Sequence, residues 1–252
     1  MSELTIDVHP PLALITGAGG GLGAAIAQRL ARAGMAVACV DVDSVAAEKA
    51  AAALNHQGYP AAAFAADISD PDQVAELHRS VTDSMGTVSH VLNVAGILHR
   101  GGLHDTDADT WRRVIDVNVT GPFLLIQAFA DQLRAAPYGR VINCASIGGG
   151  TGYPFTAYAA SKAALSNLTS SLLFDFWGTN VTVNAVAPGA MRTPMLDASS
   201  ESKMVTKTPI GRIVSADDVA AVFAFLAGED SSGINGVTVT VDGGATAQFS
   251  YT

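Results

Sequence analysis

Short apolar runs alternate with alanine-rich amphipathic stretches along the whole chain, and that alternation predicts its architecture. The run Leu12-Ala13-Leu14-Ile15-Thr16 reads as a buried strand stopped by Gly17. Further strand-like runs stand at 36–40, 61–65, 88–94, 140–144, 181–186 and 237–241. Helical stretches separate them. One opens after the glycines at 17–23, an alanine-rich one spans 46–57 with Asp43 as the nearest cap, and one runs from Pro71 to residue 85 behind Asp70. A long helix starts near Asp107 and runs to 133, another carries residues 158–177, and the last covers 217–227. Asn118, Gly121 and Pro122 fall inside the long helix and predict a bend. Seven strands alternating with about six helices predict an α/β fold: a doubly wound parallel sheet with both faces covered, in one domain. Residues 97–106 and 190–208 read as loops, the second with the composition of a mobile lid.

Composition narrows the class without altering that picture. An apolar fraction of 49% over 252 residues, with mean hydropathy +0.30, is ample for one large core. Fourteen basic and 23 acidic residues give a net charge of -9, with the cations scattered, so nucleic acid is not an expected partner. No apolar run approaches the ~20 residues of a membrane span, and the first residues lack the pattern of a signal peptide, so a cytoplasmic protein without membrane contact is expected. Cys39 and Cys144 lie far apart inside strand-like runs, which predicts buried thiols and no metal site. His99 and His104 read as surface loop residues.

Candidate chemistry begins at the first turn. Glycines between a strand and a helix let backbone N–H groups and the helix N-terminus approach a pyrophosphate. Such turns also occur without ligands, but the opening of a βαβ unit favours phosphate. About twenty residues on, Asp41 ends the second strand, where a carboxylate can accept from both ribose hydroxyls and would repel a 2′-phosphate. No Arg or Lys adjoins Asp41, so NAD is expected over NADP; the alternative, Asp41 as a plain helix cap, is met by Asp43. Ser146 follows the fifth strand, where ligands gather in a parallel sheet, although a plain loop serine remains possible. Tyr158 and Lys162, four apart on a helix, lie on one face. A phenol titrating near ~10 needs a nearby cation to exchange a proton at neutral pH, and Lys162 is placed to supply one.

Taken together, Thr16-Gly17-x-x-x-Gly21-x-Gly23, Asn93-Val94-Ala95-Gly96, Asn118, Ser146, Tyr158-x-x-x-Lys162 and Pro188-Gly189 resemble, in order and spacing over nearly the whole chain, the short-chain dehydrogenase/reductases. The departure is Val94, where a second Asn is usual. The resemblance implies a catalytic tetrad of Asn118, Ser146, Tyr158 and Lys162. It implies cofactor contacts from Gly17, Gly20, Gly21, Leu22, Gly23, Asp41, Val42, Asp67, Ile68, Asn93, Ala95, Gly96, Pro188, Gly189, Met191 and Thr193, besides Tyr158 and Lys162. Tyr158 would exchange the alcohol proton with Lys162 lowering its pKa, Ser146 would hold the substrate oxygen, and Asn118 would hold a water linked to Lys162. The implied pocket for a mostly apolar secondary alcohol or ketone includes Ser146, Ile147, Tyr153, Tyr158, Met195 and Leu196. A homotetramer is implied as well. Two rivals are a carrier-protein-linked 3-oxoacyl reductase, disfavoured by Asp41 and the acidic balance, and a non-catalytic dinucleotide-binding module, disfavoured by the retained Tyr158 and Lys162.

Overall fold

The computed structural model describes residues 10–191 and 198–247. Seven strands, β1 (Leu12–Thr16), β2 (Ala36–Asp41), β3 (Ala61–Ala65), β4 (Val88–Asn93), β5 (Arg140–Cys144), β6 (Thr182–Pro188) and β7 (Thr238–Val241), form one sheet in the order β3-β2-β1-β4-β5-β6-β7. Every pairing is parallel. The helices are α1 (Gly21–Arg32), α2 (Ser44–Asn55), α3 (Pro71–Met85), α4 (Ala108–Ile115), α5 (Gly121–Ala135), α6 (Thr156–Ser171), α7 (Ala198–Val205) and α8 (Ala216–Ala227). Alternation along the strands divides the core between the two faces of the sheet. Ala13, Ile15, Val37 and Cys39 pack with Ile26 and Leu30 of α1 and with Val219 and Phe223 of α8. Leu12, Leu14, Ala38 and Val40 pack with Val74 and Leu77 of α3 and with Leu125 and Phe129 of α5.

The bend expected near Asn118 is a π turn, Asp116–Thr120, in which the Gly121 amide donates to the Asp116 carbonyl. Pro122 has no N–H for the carbonyl four residues earlier, that of Asn118, and the wider register absorbs the missing donor. Gly121 is required there because a Cβ would lie 2.7 Å from Ile68 Cγ1. Three expectations are corrected. The helix carrying Tyr158 ends at Ser171, not near 177, because the Leu173 and Phe174 amides tighten onto carbonyls three residues back. The stretch 190–208 is not all loop, since α7 lies within it. The helical stretch Ala108–Ala135 has the length and hydropathy of a membrane crossing, although Leu125, Ile126, Phe129 and Leu133 are packed in the core.

At the N-terminal end of the sheet two basic groups are buried. Arg140 donates to the carbonyls of Gly139 (3.0 Å) and Gly228 (3.2 Å). His90 stands between the Ser89 hydroxyl, 2.7 Å from Nδ1, and the Ala227 carbonyl, 3.0 Å from Nε2. Both tie the sheet to the last turn of α8.

Candidate active site

The chain leaves β1 towards β2 on one side of the sheet, while β4 lies on the other, so a crevice opens at the carboxyl ends between them. A cavity of about 390 Å³ fills it, running from Gly17, Gly20, Gly21, Leu22 and Gly23 to Asp41, Val42, Asp67 and Ile68. A second cavity of about 210 Å³ is lined by Cys144, Ser146, Tyr158, Lys162, Pro188, Gly189 and Met191. Leu22, Val94, Gly96 and Ile97 line both, so the two adjoin.

The glycines of the first turn do different things. Gly17 has φ +67°, and a Cβ there would lie 2.9 Å from Ala95 Cα. A Cβ on Gly23 would run into the Gly17 carbonyl, whereas one on Gly21 would meet nothing within 4 Å and project into open space. Asp43, Asp70 and Ser215 cap α2, α3 and α8 through their side chains. The N-terminus of α1 has no side-chain cap and no acidic residue in its first turn. Its amides and the positive end of its dipole therefore remain available to an anion, and the residues fit a pyrophosphate.

Asp41 is held rigidly at the other end of this cavity. Its Oδ2 accepts from the Gly19 amide at 3.0 Å and its Oδ1 from the Asp43 amide at 3.2 Å. Gly19, absent from the sequence-derived set, must be glycine: a Cβ would strike the Ala46 methyl and lie 3.0 Å from Asp41 Oδ2. Asp67 is the second carboxylate. It accepts from Ser69 and from Arg113, and the Ser69 hydroxyl does most to hold its carboxyl below the usual range.

Thr16 and Asn93 fix the floor. Thr16 Oγ1 accepts from the amides of Val94 and Ala95, both at 3.1 Å, so the backbone at the Val94 departure is satisfied from β1. Asn93 was expected among the cofactor contacts, but its side chain is buried and donates to Asn143 Oδ1 at 2.8 Å. Asn143 in turn donates to Thr169 on α6. Asn93 therefore joins β4 to β5 and contributes to neither cavity lining.

The four residues of the expected tetrad come together from three places: the π turn (Asn118), the turn after β5 (Ser146) and α6 (Tyr158 and Lys162). Asn118, buried in the π turn, accepts from the Ile97 amide (2.8 Å) and donates to the Ile97 carbonyl (3.0 Å) and Ser161 Oγ (2.9 Å). Its amide thus braces the segment after β4 against α6, and both of its N–H groups are engaged by protein rather than by the expected water. Gly96 leaves the space beneath, since a Cβ there would lie 3.2 Å from Asn118 Oδ1 and 3.3 Å from Lys162 Nζ. Lys162 is buried and donates to the Cys144 carbonyl at 2.7 Å, with its Nζ 5.8 Å from the Tyr158 ring centroid. Burial holds the Lys162 ammonium below its ordinary pKa. Burial also pushes the Tyr158 phenol up, while its hydrogen bond with Ser146 pulls the other way. The lowering that acts on Tyr158 comes from Ser146 rather than from the expected Lys162, and desolvation outweighs it.

Ser146 also accepts from the Gly148 amide at 3.1 Å, capping the short turn Ile147–Gly149. Tyr153 places its ring 6.3 Å from that of Tyr158 and edge-on to Phe155 at 5.1 Å. Ile147 is half-buried in the capped turn, outside both cavity linings. Thr193, Met195 and Leu196 lie outside the described residues. Arg113 lines the first cavity without having been singled out from sequence. Arg113 meets Asp67 across 46 positions, a separation that no local pattern signals.

A bare helix N-terminus, a fixed acid at the end of β2 and a buried Tyr–Lys–Ser group on one continuous crevice define a dinucleotide-binding oxidoreductase site. Residues 17–246 match the family profile described as Enoyl-(Acyl carrier protein) reductase. The chain is 36% identical to 2-(S)-hydroxypropyl-CoM dehydrogenase 3 of Xanthobacter autotrophicus, over 92% of this chain and 95% of that protein. It is 37% identical to cis-4-hydroxycyclohexanecarboxylate dehydrogenase of Sinomonas cyclohexanicum, over 94% and 96%. A crystal structure of gluconate 5-dehydrogenase from Burkholderia cenocepacia, in complex with NADP and tartrate, superposes with a TM-score of 0.89 at 31% identity, covering 96% of this chain and 97% of that one. The chain belongs to the short-chain dehydrogenase/reductase family.

Proposed function

We propose that this protein is an NAD-dependent dehydrogenase or ketone reductase for mostly apolar secondary alcohols. The observation that carries the cofactor choice is Asp41, whose carboxylate is fixed in the cavity wall by two backbone amides beside the exposed, uncharged Val42. A 2′-phosphate brought there would face a like charge with no basic residue among the described neighbours to receive it, since Arg113 is engaged by Asp67 and Ser69. The solved relative binds NADP, so cofactor choice in this fold turns on such local residues.

NAD, when bound, accepts the hydride, and the residues of this chain manage the accompanying proton. Tyr158 takes the alcohol proton as a phenolate and returns it to a ketone as a phenol. Ser146, already hydrogen-bonded with Tyr158, holds the substrate oxygen beside it. Lys162, with one donor engaged by Cys144, has others left for ribose hydroxyls, and Asn118 keeps the bracket around Gly96 closed. Leu98, Met191 and the Tyr153–Phe155 pair give the substrate side an apolar character. The cis-4-hydroxycyclohexanecarboxylate dehydrogenase among the relatives supports an alicyclic alcohol as the class to try first. A homotetramer is part of the same reading. The stacked Phe174 and Trp177, 79% and 80% exposed, together with the half-exposed Phe123, offer apolar surface of the kind that subunits cover.

The test is to follow NADH formation with NAD or NADP and a panel of alicyclic, aryl and short aliphatic secondary alcohols. The same assay is run on the variant Asp41→Ser/Val42→Arg. The wild type should prefer NAD and the variant should shift towards NADP. Equal efficiency of the two cofactors in the wild type would refute the cofactor reading, and a preference for acetoacetyl thioesters or sugar phosphates would refute the substrate reading.

A further inference from the structure

At the N-terminal end of the sheet, away from the crevice, a separate cavity of about 440 Å³ is lined by Tyr138, Arg140, Thr182 and Glu229 among others. Arg140 and Thr182 are the first residues of β5 and β6 and pair in register, so their side chains leave the sheet on one face. They are 1% and 6% exposed, and each keeps a polar atom with no hydrogen-bond partner among the described residues, Arg140 Nε and Thr182 Oγ1. The rest of the guanidinium donates only to neutral carbonyls, Nη1 to Gly139 (3.0 Å) and Asn180 (3.5 Å) and Nη2 to Gly228 (3.2 Å). The Tyr138 ring centroid lies 5.5 Å from the guanidinium carbon. Glu229, the acid of the lining, is exposed and accepts from the Tyr138 hydroxyl. The tie to α8 accounts for the two Nη groups. It does not account for a buried cation bonded to neutral oxygens alone, nor for a buried hydroxyl in register with it where valine would pack as well at less cost.

We propose that this cavity binds a small monocarboxylate. The carboxylate accepts from Arg140 Nε and from the Thr182 hydroxyl, which satisfies both orphaned donors at once and gives the buried cation a counter-charge. A single negative charge suits the site better than a dianion, because Glu229 already places one carboxylate on the wall. Binding joins the ends of β5 and β6 and therefore stabilises the folded chain.

The experiment is thermal unfolding of the whole protein at pH 7.5 in series of sodium acetate, sodium phosphate and sodium chloride at matched ionic strength. Acetate should raise the midpoint steeply at first and then logarithmically, by roughly 3 °C at ten times its dissociation constant. Thr182→Val, which keeps the β-branched shape and removes the hydroxyl, should weaken the apparent affinity about fivefold, the worth of one hydrogen bond. Glu229→Gln, at an exposed position, should tighten it by roughly twofold to fivefold by removing the like charge. Arg140→Gln should abolish the response if its circular dichroism spectrum is that of the wild type, and Thr182→Val carries the test if that variant does not fold. An acetate response that Thr182→Val leaves unchanged would put the carboxylate elsewhere, the start of α1 included, and would overturn the proposal. So would a wild type that responds to acetate no more than to chloride, or to phosphate and not to acetate.

Discussion

Acid should unfold this protein through a histidine far from the chemistry. His90 is fully buried at the N-terminal end of the sheet. The Ala227 carbonyl can only accept, so Nε2 carries the proton and Nδ1 accepts from the Ser89 hydroxyl. A second proton would bring an unsolvated charge close to the buried Arg140 cation. Burial first, and then Arg140, push the His90 pKa down from 6.5 to about 4. Below the ordinary value the unfolded chain takes up a proton that the folded chain refuses. The stability due to neutral burial is therefore complete above pH ~6.5 and is lost as the pH falls towards the folded value. That displacement corresponds to about 2 kcal/mol lost by pH 5 and about 3 kcal/mol by pH 4. The perturbation is His90→Gln, which keeps a donor for Ala227 and removes the titration. Urea unfolding of both proteins, at one protein concentration to hold any association constant, would be measured from pH 7.5 to 4.5. The variant should be less stable than the wild type at pH 7.5, and the gap should narrow by about 2 kcal/mol at pH 5. A gap that does not change with pH would show that His90 is not the group that protonates.

Tyr158→Phe should lower kcat by at least about 10²-fold while leaving NADH affinity nearly unchanged, because it removes the proton carrier and little of the cofactor cradle; near-normal turnover would refute the mechanism. In the wild type, alcohol oxidation should rise with pH through the Tyr158 titration and ketone reduction should fall, since the first needs phenolate and the second phenol, and burial sets that titration on the alkaline side. Replacing Phe174 and Trp177 together by serine should lower the assembly mass measured by sedimentation, and a mass unchanged from the wild type would remove that pair from the proposed interface.

Local chemistry explains which of these features could be read along the chain. Asp43 and Asp70 cap the helices that follow them because capping reaches only two or three residues, and both were visible as Asp beside a helical stretch. The alternation that buries Ala13 on one face and Leu14 on the other is likewise local. Asn118, Gly121 and Pro122 announced a bend, but the need for glycine at 121 comes from Ile68, which stands where a Cβ would go and is 53 positions away. The Asn93 side chain shares a motif with residues that line the cavity, yet its partner is Asn143, fifty positions away. The Arg113–Asp67–Ser69 group depends on α4 folding back over the end of β3, which no spacing encodes. The rise of the Tyr158 pKa has a related origin: the burial that causes it comes from the whole fold, which the four-residue spacing to Lys162 does not report.

The uncapped start of α1 makes stabilising this enzyme and keeping it active competing aims. Gly20 has the extended backbone that suits a capping side chain, and Ser or Asp there would satisfy amides that are now bare. A search for thermostable variants would favour such a change, worth about a few tenths of a kcal/mol over glycine at a typical helix start. The same oxygen would occupy the place of a phosphate oxygen, and Asp would add a charge of the wrong sign. Selection for folding alone would thus close the site from the inside, so position 20 must be held at glycine whenever the chain is optimised without its cofactor.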